Sequence, residues 1–259
     1  MFDKGNGPAV VVVQGVHGRW EWMTPALTQL AKDCRVISYS FSGDIGAREG
    51  TRGTYGFDNY LSQLDAVLDH AGLSQAALCG ISFGGFVALR YAATRPHRVT
   101  SLVLASSPAP GWKPNPQQSR WLSRPWMSAP VFVATSPLRV WPEVRSALPS
   151  WPERVGFFVQ QGLRSARAPM VPSRMAERIR LAQQTDFAPD CARVKAPTLV
   201  LTGEAPLDRV VPVASTQSFC RLIPGAESRL FERTGHLGSL TQPARFANIV
   251  GHFVHAHNH

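Results

Sequence analysis

Residues 76–95 read AALCGISFGGFVALRYAATR. Small apolar residues at 76–80 make a strand buried on both faces, and 84–95 reads as a helix. Between them stands Gly80-Ile81-Ser82-Phe83-Gly84-Gly85. A turn this tight holds Ser82 in a strained backbone conformation. Side chains two positions before and after would collide with it, so both places are glycine. The turn lifts the Ser82 hydroxyl clear of the sheet and aims the next helix's N-terminus at it, where the helix dipole favours developing negative charge.

The same strand–helix alternation extends in both directions. Residues 9–14 (AVVVVQ), 35–40, 99–105, 197–202 and 227–232 read as further strands, and 57–71, 213–222 and 241–254 as helices. Repeated units of this kind predict an α/β fold, a mostly parallel sheet of six strands with helices on both faces. Residues 107–190 break the rhythm, carrying 13 of the 21 prolines and five of the seven tryptophans. A helix over 173–185, with Met175, Ile179 and Ala182 along one side, is expected there. This stretch reads as a helical cap inserted into a core made of 1–106 and 191–259. It holds 11 basic residues, all but Lys113 being arginine, against five acidic ones.

The chain of 259 residues can bury a core without disulfide staples. Cys34, Cys79, Cys191 and Cys220 form no CxxC pair, so neither a zinc site nor a disulfide framework is expected. The formal charge is +10, yet no Lys/Arg run or nucleic-acid motif accompanies it. No apolar stretch approaches the roughly 20 residues that span a bilayer. The short run at 9–14 leads directly into a loop with chemistry of its own, which argues against a cleaved signal peptide. These features predict a soluble, cytoplasmic protein with no nucleic-acid or membrane partner. His255, His257 and His259 read as a frayed tail rather than a metal site.

A serine hydroxyl is a weak nucleophile and needs a base, which in turn needs an orienting acid. His236, in Arg233-Thr234-Gly235-His236-Leu237-Gly238, lies just past strand 227–232. Asp208, in Glu204-Ala205-Pro206-Leu207-Asp208, lies in the loop leaving strand 197–202. Both therefore join Ser82 at the carboxyl edge of the sheet. Glu204 competes for the acid's place, but Asp208 sits deeper in the loop. The oxyanion formed on attack needs backbone donors. The Phe83 amide is one, and the Val16 amide, from the loop Gln14-Gly15-Val16-His17-Gly18, is the other. Trp20 and Trp22 follow that loop and either line a substrate pocket or pack ordinary helices.

The segments VVVVQGV, ALCGISFGG, LTGEAPLDRVVP and ERTGHLG resemble those of the α/β-hydrolase superfamily, and the likeness covers core and cap. In that superfamily the order along the chain is Ser, acid, His, as it is here. The resemblance implies an esterase- or lactonase-like serine hydrolase acting on a small-molecule ester, with no cofactor or metal. Thioesters, lactones and esters carried on an acidic acyl carrier protein are the alternatives. A non-catalytic receptor on the same fold is the alternative of another class. The chain departs from the superfamily pattern in three ways. Gln14-Gly15 replaces the usual His-Gly. The usual N-terminal antiparallel hairpin is expected to be missing, because only eight residues precede the first parallel strand. Ser106 and Ser107 stand where some relatives carry the acid.

Overall fold

A computed structural model describes residues 1–44 and 56–258. Seven strands form one sheet: β1 (Phe2–Lys4), β2 (Ala9–Val13), β3 (Arg35–Ser38), β4 (Ala76–Ile81), β5 (Val99–Ala105), β6 (Thr198–Thr202) and β7 (Glu227–Leu230). Their order is β1-β3-β2-β4-β5-β6-β7. The six expected strands appear within one or two residues of the predicted bounds and run parallel. The count of six is corrected to seven by β1, which pairs antiparallel with β3, Phe2 opposite Ser38. The hairpin is thus reduced to a single three-residue strand, too short for its alternation to register in the sequence.

Alternation in β2 sends Val10 and Val12 to one core and Val11 and Val13 to the other, all four buried. On one face the core is completed by α1 (Thr24–Leu30) and, much later in the chain, by the C-terminal helix. On the other face it is completed by α2 (Asp58–His70) and α3 (Phe83–Thr94). Between β5 and β6 the chain forms α4 (Pro116–Ser123), α5 (Pro125–Ala147), α6 (Trp151–Arg167) and α7 (Pro172–Gln184). It then returns through α8 (Ala188–Arg193), which Arg90 of α3 ties down by an ion pair to Asp190. The predicted helix 213–222 divides at Ser218 into α9 (Val213–Gln217) and α10 (Phe219–Leu222). The last stretch is α11 (Gly238–Thr241) and α12 (Pro243–Ala256).

The proline-rich stretch is helical because most of its helices place proline in the first turn, where the missing N–H has no intrahelical partner to lose. Inside α5, however, stand Pro130, Pro137 and Pro142. Pro137 leaves the Val133 carbonyl without its helical donor, and the Ser136 hydroxyl donates to it at 2.7 Å.

Candidate active site

Ser82 sits between β4 and α3 with φ 54° and ψ −123°, one of three described non-glycine residues with positive φ. The turn needs its glycines for a reason different from the expected one. A β-carbon on Gly80 would strike the backbone of Gly84 and Gly85, one on Gly84 the Val13 carbonyl, and one on Gly85 the Ser107 side chain. The glycines therefore let β4, α3 and the neighbouring strands close on one another, and the serine is held by that closure.

The Ser82 hydroxyl lies 3.1 Å from His236 Nε2, and His236 Nδ1 lies 3.2 Å from Asp208 Oδ2. The other Asp208 oxygen accepts the Val210 and Val211 amides, both at 2.9 Å. Glu204 plays a different part. It accepts the Arg233 amide at 2.7 Å and so shapes the loop that carries His236. Gly235 is required because the His236 loop lies on the Leu207–Asp208 backbone, with no room for a β-carbon.

Burial works against both charged forms in this pair. For Asp208, the His236 charge and hydrogen bond, with the Val211 and Val210 amides, outweigh burial and hold the carboxyl below its ordinary range. For His236, the Asp208 charge and hydrogen bond, with a further push from Glu143, outweigh burial and raise the imidazole above 6.5.

The loop after β2 faces the same point. A β-carbon on Gly15 would lie 3.4 Å from the Ser82 β-carbon. The Val16 and Phe83 amides have no protein acceptor among the described residues. Gln14 turns into the core, its Oε1 3.0 Å from the Ser38 hydroxyl. The loop is held from the cap instead. Arg178 of α7 donates to the Val16 carbonyl at 2.8 Å and pairs with Asp44, both side chains being buried. Trp22 stacks on His17 at 5.3 Å between ring centroids and donates to the Ala168 carbonyl at 2.8 Å. Burial, with the Arg178 charge beside it, pushes His17 down to about 3 and keeps it neutral. Trp20 packs on Phe2 at the sheet edge.

Nothing in the sequence pattern singles out Glu143 of α5 for a role at the site. Its buried carboxylate accepts the Leu237 amide at 2.9 and 3.0 Å and the Thr241 hydroxyl at 3.3 Å, immediately after His236. Burial raises its pKa, against the Leu237 and Gly235 amides. Three residues on, the Ser146 carbonyl accepts the Arg233 guanidinium at 2.7 and 2.9 Å. The end of α5 is thus fastened to both sides of the His236 loop. Glu143 is one of only two acidic residues in α4–α6, but the sequence does not separate it from Glu153, which caps α6. At the C-terminus His255 and His257 each bond a backbone carbonyl, and His259 lies outside the described residues. No group of three metal-ligating side chains occurs among the described residues.

A strained serine, a histidine and a carboxylate in one line of hydrogen bonds at the carboxyl edge of a parallel sheet define the α/β-hydrolase class. The chain belongs to the alpha/beta hydrolase family, whose model matches residues 10–249. It is 26% identical to a 2-hydroxy-6-oxo-2,4-heptadienoate hydrolase of Pseudomonas putida, across 99% of this chain and 92% of that protein. It is 27% identical to a 3-oxoadipate enol-lactonase of Acinetobacter baylyi, across 96% and 89%. Its fold matches a thermophilic esterase of Thermogutta terrifontis with a TM-score of 0.77 at 22% identity, covering 100% and 93%. The family and these curated relatives are hydrolases, and this chain is a hydrolase.

Proposed function

We propose that the protein cleaves carboxylic esters through an acyl-enzyme on Ser82. The observation that carries this reading is the unbroken line Asp208–His236–Ser82, at 3.2 and 3.1 Å. Neutral His236 takes the Ser82 proton at Nε2 as the oxygen attacks the ester carbonyl. Asp208, at Nδ1, fixes the tautomer and stabilises the imidazolium. Charge on the former carbonyl oxygen is met by the Val16 and Phe83 amides. His236 then protonates the leaving alcohol, and water, deprotonated by the same imidazole, releases the acid. Lactone and thioester carbonyls would follow the same steps. No residue in this sequence of transfers requires a cofactor or metal. Four free thiols suit the reducing cytoplasm we propose as its compartment.

The test is hydrolysis of p-nitrophenyl esters of increasing acyl length, with Ser82→Ala beside the unmodified protein. The substitution is expected to lower kcat by about 10⁴–10⁶-fold. Equal rates would overturn the assignment of Ser82 as the nucleophile.

A further inference from the structure

The cap exposes what the core hides. Of the 12 large apolar side chains that stand in solvent among the described residues, nine belong to α5 and α6. On α5, Trp126 and Met127 are 63% and 72% exposed, and Leu138 is 74% exposed. Met127, Val131, Ala134 and Leu138 recur at helical spacing, so they form one stripe. On α6, Trp151, Val155, Val159 and Leu163 recur every fourth residue, again as one stripe.

Charge accompanies these stripes. From Arg120 to Arg167 the chain carries seven arginines and two glutamates, and one of the two, Glu143, is turned inward to the His236 loop. None of the seven arginines has an acidic partner among the described residues. Between α4 and α5 a groove of about 540 Å³ brings the two properties together, lined by Arg120, Trp121, Arg124, Met127 and Val131.

We infer that α4–α6 form a docking surface for an anionic lipid surface, with the apolar stripes entering the headgroup layer and the arginines meeting phosphates. Charge selects this occupant. A second copy of the chain, seated symmetrically on the same face, sets arginine against arginine. Two separate stripes, each led by an exposed tryptophan, suit a deformable interface, where tryptophan is at home. The sequence-based expectation of no membrane partner rests on the want of a spanning segment, and no described helix is long and apolar enough to cross a bilayer. Lying on the surface is a different relation. It stands independently of the esterase reading, because binding is measured without turnover.

The test is flotation of the full chain with vesicles of phosphatidylcholine alone or with about 30 mol % phosphatidylglycerol. The anionic vesicles are expected to bind at least about tenfold more protein, and about 0.5 M salt to erase most of the difference. Met127→Glu/Leu138→Glu and Arg120→Glu/Arg124→Glu are each expected to lose about tenfold or more in binding, with circular dichroism and thermal midpoint unchanged. No enrichment on anionic vesicles, or enrichment that both variants keep, would overturn the proposal. So would lipid-free self-association abolished by Met127→Glu/Leu138→Glu, or binding of an acidic acyl carrier protein with none to vesicles.

Discussion

Core and cap handle the same two kinds of side chain in opposite ways. In the core, Arg35, Arg90, Arg95 and Arg98 each pair with an aspartate, and valines such as Val10 and Val13 are sealed between sheet and helix. In α4–α6 the arginines lack acidic partners among the described residues, and α6 buries no residue fully. The core is held together by its own apolar packing. The cap is attached by a limited apolar contact, chiefly Phe187 on Phe57 and Phe86, and by polar bolts: Arg178 to Asp44 and Val16, Glu143 to the His236 loop, Ser146 to Arg233, and Trp22 to Ala168. Those bolts end on the loops that carry His17, Val16 and His236, so the proposed mechanism couples cap position to reaction geometry.

Removing a bolt from this arrangement has the largest expected effect. Arg178→Met leaves Asp44 buried without its cation and is expected to cost about 3–5 kcal/mol, read as a lowered urea midpoint. It also frees the Val16 loop, so kcat is expected to fall by as much as about 10²-fold. Adding Asp44→Asn is expected to restore stability but not kcat; recovery of both would show that the loop does not need Arg178. Next comes the core itself, where Leu64→Ala is expected to cost about 2–5 kcal/mol through the cavity it leaves.

Glu143→Gln addresses the coupling more finely. His236 must be neutral to act, so kcat/KM rises with pH through its pKa, which lies above 6.5 because Asp208 and Glu143 favour the imidazolium against burial. Loss of the Glu143 charge is expected to move this limb to lower pH; an unmoved limb would mean that Glu143 acts on packing alone. The smallest effect closes the comparison. Val159→Ser on the open face of α6 is expected to change stability by no more than about 0.5 kcal/mol, and a loss on the Leu64→Ala scale would mean that the stripe is packed after all.

What could be read from the chain follows the same division. Ser82 was legible because it ends a buried apolar run with glycines at set offsets, Asp208 because it follows the buried strand β6, and His236 because glycines flank it just past β7, all local signals. The helix over residues 172–184 was legible too, but its largest buried side chain is Arg178 rather than Met175 or Ile179. Nothing near Arg178 or Glu143 in the sequence points to partners 162 and 94 residues away. Nor does sequence pattern announce a helix with three internal prolines, because one of the vacated carbonyls is served by a serine hydroxyl.

The Arg178–Asp44 pair bears on how caps of this family can be exchanged. Asp44 lies in the loop after β3 and Arg178 lies 134 residues later, while Gly18 leaves the space in which their side chains meet. A chimera that moves residues 107–190 alone would bury Arg178 in the recipient without its carboxylate. The transferable unit is therefore discontinuous: the cap together with Gly18 and Asp44.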